Sequence, residues 1–474
     1  MAAKWAAAAA AINCPRPLPN RSFSEFLPHS QVKYPLLSLL VSALLAPPAL
    51  AQTQPGSSPL LPNRVDGYGA PMGAAVPMHR AADEATVDIV GSYYQQDGTH
   101  GAVEGGRGTE HLTDVSPTII LNIPLDSASR LTANIGTDFY ASASTDRIDY
   151  TLSTPSARDA RIHADFGYIR EQKALGTQWG LGAGVSKEYD YLSFNVVGSF
   201  AKTSRDGNRQ IGLTGQIFID QVTLITPIEL REVSTGRGGR EYGTAARQSY
   251  NVTATYSQVL SKRLQMAIST ELVQQNGLLS TPFHRVYFYD NPDANPVTVF
   301  SSAFAPQAAS APRQEKLPGA RFKYPVGLRL NYYASDAVQL RSYYRFYNDN
   351  FGIRAHTLEV ELPVKVTPFI VLYPFYRYHQ QTASRYFAGY NEHSISDAFY
   401  TSDYDLSAFK AHKVGLGLRY SPVYGIGRFH VPGKDRQGLP RLMHFKSIDL
   451  RYAYYQRSTD LVAKIVSFDL GFAL

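Results

Sequence analysis

Cysteine is nearly absent from this chain of 474 residues: the one present, Cys14, follows Ala-Ile-Asn close to the start. Everything downstream of it is without disulfides or thiol chemistry. Its context is poor for lipidation, so Cys14 reads as a chance residue of a discarded leader. Tryptophan is scarce too, with 2 residues against 32 Tyr and 23 Phe. Tyrosine joins an apolar ring to a polar tip and suits surfaces where oil meets water. Beyond residue 51 no run of about eighteen uninterrupted apolar residues occurs, which excludes a spanning helix there. Lys and Arg form no dense block. The formal charge of +7 is spread along the chain, so no nucleic-acid-binding arm is expected.

What is present begins with an export signal. From Lys33 the sequence runs KYPLLSLLVSALLAPPALA and then Gln52: a basic residue, an apolar core, and Ala49-x-Ala51 ahead of the cut. The apolar run is too short and too broken by proline for a transmembrane helix. Residues 1–51 are therefore expected to be a signal peptide carrying a spurious N-terminal extension, with the true start near Leu27 or Val32. Residues 52–84, rich in Pro, Gly and Ala without a period, read as a flexible periplasmic lead-in. They are too few for a plug domain. The exported remainder is either soluble in the periplasm or crosses a membrane as a closed sheet.

From residue 85 to 474 the pattern is alternation with period two. Leu131, Ala133, Ile135, Thr137 and Phe139 oppose Thr132, Asn134, Gly136 and Asp138. Trp179, Leu181, Ala183 and Val185 oppose glycines and Gln178. Leu192, Phe194, Val196 and Phe200 oppose Ser193, Asn195 and Ser199, and Leu264, Met266, Ile268 and Leu272 oppose Gln265, Ser269 and Glu271. Similar runs near 85–95, 112–124, 159–171, 209–220, 247–260, 321–334, 337–349, 354–364, 368–380, 408–421, 446–458 and 462–474 bring the count to about sixteen strands, in a range of about 14–18, and a single-chain bacterial barrel needs an even number. Short turns such as 126–129, 173–176 and 206–209 alternate with long connections near 96–111, 141–158, 221–246, 276–320 and 381–407. Periplasmic turns facing external loops produce this rhythm. Two places break it: 422–444 is long where a short turn is due, and Asp190 lies in a very tight external turn.

A soluble sandwich would put Lys and Glu on its polar face, and its strands would run five or six residues. Here the polar face is Gly, Ser, Thr, Asn and Gln with scattered Arg and Glu, and the strands are about twice that length. The expected fold is all-β, a transmembrane antiparallel β-barrel over 85–474. The final segment VAKIVSFDLGFAL puts Val462, Val466, Phe468, Leu470, Phe472 and Leu474 on one face, the pattern of a closing outer-membrane strand that would engage the barrel-assembly machinery.

Several blocks in order carry a family resemblance: SKEYDYLS (186–193), GLLSTPFHRVYF (277–288), LRLNYY (328–333), LRSYYRFY (340–347), YPFYRYHQQT (373–382), TSDYDLSAFKAHKVGLGLRYSP (401–422) and LRYAYYQRS (450–458). The chain resembles the family catalogued as domain of unknown function 3570, predicted outer-membrane β-barrels of Gram-negative bacteria. The resemblance implies architecture and location, and carries no catalytic residues.

The most suggestive chemistry is a set of arginines on the polar face of the late strands: Arg329, Arg341, Arg345, Arg377, Arg419 and Arg451. Toward lipid at the midplane each would cost about 2–4 kcal/mol, so they belong in the lumen. Tyr333, Tyr343, Tyr347, Tyr373 and Tyr455 interleave with them, and Glu359, Glu361, Asp449 and Asp469 share the wall. Two readings stand: a cationic constriction for anionic or hydroxylated solutes, or internal Arg–carboxylate pairs and Arg–Tyr stacks that brace the barrel. The long loops carry Phe283, His284, Arg285 and Tyr287, then Tyr400, Asp403, Tyr404, Asp405 and Phe409. They are expected to pack on the rim, fold inward or bind an external ligand. Asp403 and Asp405 are weak Ca²⁺ candidates by their spacing alone. His163, His356, His379, His393 and His412 have no metal or triad spacing, and no lipase-like or omptin-like motif is visible, so neither enzyme activity nor a cofactor nor a metal is expected. GxG at 180–184 and 415–417 are strand glycines, because no helix follows. The expected partners are outer-membrane lipid, lipopolysaccharide touched by loops such as Arg237–Arg240, and small solutes.

Overall fold

The computed structural model describes residues 84–142, 158–227, 230, 243–291, 312–434 and 440–474. The signal segment, the lead-in through residue 83 and Arg237–Arg240 lie outside the described residues. The strands are β1 (Thr86–Asp97), β2 (Leu112–Pro124), β3 (Ser129–Ser142), β4 (Arg158–Gln172), β5 (Thr177–Lys187), β6 (Tyr191–Thr203), β7 (Arg209–Thr223), β8 (Thr244–Ser261) and β9 (Leu264–Gly277). Then come the short loop ladder β10 (Arg285–Val286) and β11 (Arg313–Gln314), β12 (Ala320–Lys323), β13 (Val326–Tyr333), β14 (Gln339–Asn348), β15 (Arg354–Glu361), β16 (Val364–Lys365), β17 (Ile370–Gln381), β18 (Phe409–Tyr420), β19 (Gly427–Lys434), β20 (Pro440–Arg457) and β21 (Val462–Ala473).

Every pairing in the large sheet is antiparallel, and β1 also pairs with β21 from Thr86↔Ala473 to Asp97↔Val462. That last pairing closes the ring. β12 and β13 both pair with β9, β15 and β16 both pair with β17, and β18 and β19 both pair with β20, so each couple is one interrupted strand and the barrel has 16 strands.

Alternation dictates this closure. Outward apolar side chains stand exposed all round the ring, among them Phe166 (56%), Leu181 (59%), Val196 (60%) and Val414 (55%), while the intervening Gly, Ser, Thr and Asn are covered. A water-soluble protein does not tolerate so continuous an exposed apolar band, whereas a bilayer requires one, together with a sheet free of unpaired edges. Tyr344 with His356 (2.8 Å) and Tyr376 with His412 (2.7 Å) add polar-tipped aromatic pairs to the outward face.

The connections follow the expected rhythm except at 188–190, 349–353 and 458–461, which are short where long ones are due. Asp190 lies in a tight turn between β5 and β6, where Glu188 N donates to Tyr191 O at 2.7 Å. The expected long connection at 422–444 is corrected. After a turn at 421–426, β19 continues the line of β18 and pairs with the start of β20, with Gly427 opposite Phe445 and Lys434 opposite Pro440. Since β21 stops at Ala473 opposite His444, residues 427–434 and 440–443 project as a hairpin past the barrel floor. Residues 435–439, between β19 and β20, lie outside the described residues.

Candidate functional site

The register brings most of the arginine wall together. Glu361 sits between two guanidiniums: its Oε1 is 2.8 Å from Arg341 Nη1 and its Oε2 is 2.6 Å from Arg451 Nη2. Asp449 Oδ2 takes Arg419 at 2.6 Å, and its other oxygen accepts from the Tyr373 hydroxyl. Arg451 also lies over the Phe375 ring at 4.6 Å and the Tyr373 ring at 5.1 Å. Those rings lie flat because β18 supplies Gly415 and Gly417 opposite them. A Cβ on Gly417 would fall inside the Tyr373 ring, and one on Gly415 inside the Phe375 ring. The glycines of the 415–417 segment thus make a floor for aromatic rings, as strand glycines paired with aromatics do.

Arg329 and Arg345 are differently placed. Arg329 lies 5.3 Å from the Tyr343 ring and Arg345 lies 5.9 Å from the Tyr347 ring, and neither has a carboxylate within ion-pair distance among the described residues. Between these groups, Glu359 stands directly across from Tyr343 on one side and Arg377 on the other, and Arg377 stands across from Lys413. Lys413 and Arg457 belong to the same lining although they were not picked out from the sequence. Both lie on the inward parity of their strands, in step with Arg419 and Arg451, and that signal was readable.

The external loops do more than coat the rim. β1–β2 and β9–β12 are half the ring apart, yet their loops touch. Arg285 Nη1 donates to Val103 O at 2.8 Å, and the Tyr287 ring packs against Gly105. Loops rooted on opposite sides of a ring can meet only across its opening. The β17–β18 loop joins them: Arg107 stacks on Tyr390 at 3.7 Å, and Tyr287 packs on Tyr390 at 4.7 Å. Val286, Phe288 and Tyr400 form a buried core within this cap, with Phe288 meeting Tyr400 edge-on at 4.9 Å. The cap is tied to the lumen wall by Arg457, which reaches Asp405 at 2.7 Å, and by Gln381 Nε2, which donates to Asp405 O and Ser407 O at 2.9 and 2.7 Å.

Among the described residues one cluster could hold a metal ion: His284, Glu315 and Asp403, all in the cap. Burial pushes the His284 imidazole down, but the Glu315 carboxylate outweighs it and leaves the group raised. Burial, reinforced by the Asp405 carboxylate, pushes Asp403 up to about 7. Asp403 and Asp405 do not act as a pair, since Asp405 turns to Arg457. Of the five histidines weighed for spacing, none belongs to the cluster. His356 and His412 face outward, His379 bonds Thr357 at 2.8 Å, and His393 bonds Thr401 O at 2.9 Å.

A closed ring with an apolar outer belt, a charged and aromatic interior and a loop cap defines a transmembrane β-barrel of the outer-membrane type. The chain belongs to the family described as protein of unknown function (DUF3570), whose model matches residues 69–422. Solved structures similar to it include a bacterial polysaccharide outer membrane secretin (TM-score 0.40, 11% identity, 82% of this chain and 98% of that one covered). Others are OccK1 (OpdK) of Pseudomonas aeruginosa (TM-score 0.35, 8% identity, 84% and 100% covered) and the siderophore receptor PirA of Acinetobacter baumannii (TM-score 0.38, 10% identity, 80% and 60% covered). A comparison with curated proteins gave no match.

Proposed function

We propose that this protein is a passive outer-membrane channel for small anionic or polar solutes, with its external mouth narrowed by the loop cap. The observation that carries this reading is the placement of Arg329 and Arg345 on tyrosine faces, beyond ion-pair distance of any carboxylate among the described residues. A guanidinium held on a ring keeps its charge and its outward N–H donors for a passing anion. A ring of 16 strands leaves room for an aqueous path where side chains do not fill it. The test is single-channel recording in planar bilayers under a salt gradient. The wild-type barrel is expected to give anion-favouring openings, and Arg329→Glu with Arg345→Glu should move the reversal potential toward cations. A folded barrel without openings would overturn the proposal.

A second reading, a non-conducting structural or partner-binding barrel, draws on Glu361 and on the cap. One carboxylate neutralising two arginines braces the wall, and loops meeting across the mouth obstruct it. Silent bilayers from folded protein would favour that reading. No catalytic role is proposed in either case.

A further inference from the structure

We propose that the cap holds a divalent transition-metal ion of the Zn²⁺ type, bound by His284, Glu315 and Asp403 and stapling the β9–β12 loop to the β17–β18 loop. The ligand atoms of the three side chains lie within 4.8 Å of one another. Ligands on a tetrahedral Zn²⁺ with bonds of about 2.0–2.1 Å sit about 3.3 Å apart. The widest pair therefore needs a closure of about 1.5 Å, shared between two side chains.

His284 supplies the second and independent observation. It is 6% exposed, and its Nδ1 is buried without a hydrogen-bond partner while facing Glu315 Oε1 at 3.7 Å. That separation is too long for a hydrogen bond, and an orphaned buried nitrogen is costly. A metal ion between the two groups gives that nitrogen its partner. The carboxylates are already aimed. Thr281 N donates to Glu315 Oε2 at 2.6 Å, the Thr401 hydroxyl donates to Glu315 Oε1, and Asp405 N donates to Asp403 Oδ1 at 2.9 Å. Bonds of this kind to the outer side of ligands fix their orientation in metal sites. His284 is itself held to Glu315 through the backbone, where Glu315 N donates to His284 O at 3.0 Å.

The donor set selects the ion. Ca²⁺ and Mg²⁺ take oxygen ligands and wait for six or more, and a buried imidazole serves them poorly. One nitrogen and two carboxylates suit Zn²⁺, with a fourth position for water or a solute atom.

The experiment uses the whole barrel, refolded in detergent and freed of metal by chelation. Calorimetric titration with Zn²⁺ is expected to show one ion per chain, and X-ray absorption should report a nitrogen/oxygen shell at about 2.0–2.1 Å including imidazole. Asp403→Asn keeps the acceptor for Asp405 N, and Glu315→Gln keeps one acceptor, for Thr281 N, while its NH2 can donate to the Thr401 hydroxyl. Each should weaken binding at least tenfold, as should His284→Gln, with the heat-modifiable barrel band confirming that the variants fold. Zn²⁺ should also slow trypsin cleavage at Arg313 and Lys316 in wild type. Absence of stoichiometric Zn²⁺ in the folded wild type, equal affinity in the variants, or a preference for Ca²⁺ or Mg²⁺ would each overturn the site. None of these readings needs a conducting barrel.

Discussion

Replacing Glu361 by Gln removes one charge from between two arginines, and the two halves of that loss differ. The Arg341 side chain is 43% exposed, so its ion pair is screened and contributes about 0–1 kcal/mol. The Arg451 side chain is only 11% exposed and lies over Phe375 and Tyr373. Stripping the carboxylate from a buried guanidinium costs about 3–5 kcal/mol, and the amide oxygen of Gln returns about 1 kcal/mol. The net expectation is a barrel less stable by about 2–4 kcal/mol. Reversible urea unfolding from lipid vesicles, followed by aromatic fluorescence, measures it. The same assay on Arg451→Met with Glu361→Gln should recover much of the loss, because the stranded charge is then gone, whereas Arg341→Met with Glu361→Gln should recover little. A single-variant loss below about 0.5 kcal/mol, or equal recovery from the two arginine replacements, refutes the assignment of Glu361 to Arg451 as the buried pair.

Gly417→Val drives a side chain into the Tyr373 ring and should destabilise the barrel by about 1–3 kcal/mol, seen as an earlier loss of the heat-modifiable band. Phe288→Ala empties the cap core at a local cost of about 3–5 kcal/mol; trypsin should then cut the cap loops faster while barrel unfolding stays unchanged, and any channel openings should lengthen. Asp290 accepts from Ser394 Oγ at 2.7 Å and from Ile395 N at 2.8 Å, contacts that hold its carboxyl below the usual carboxylate range. A lowered folded value means that this tie between loops is present above the ordinary carboxylate range and released as pH falls through the folded value, so exchange of the Ile395 amide should accelerate in acid.

The strands were legible because lipid enforces them. Where one face must meet hydrocarbon, as in Leu192–Phe194–Val196, period two is written into the residues. The same reasoning explains the misread segment at 422–444. Its hairpin stands clear of the barrel, neither face of β19 has to be apolar, and Arg428 and His430 blur the pattern that Phe429 and Leu442 begin. Parity also puts the arginines on the face opposite the exposed apolar band. Which acid each arginine meets depends on register between strands, and alternation carries no register. Glu315 was missed for a different reason: it joins His284 and Asp403 only through loop tertiary structure, and no local spacing announces that meeting.

The contact between Arg285 and Val103, 182 residues apart, also has an implication for assembly. Laid out as an unrolled sheet, the roots of those two loops stand about 38 Å apart, at about 4.8 Å per strand. Curling brings them face to face only as β1 approaches β21, so the cap is the last part to consolidate. While the ring is still open, the hydrophobic residues Val286 and Phe288 have no finished shelter.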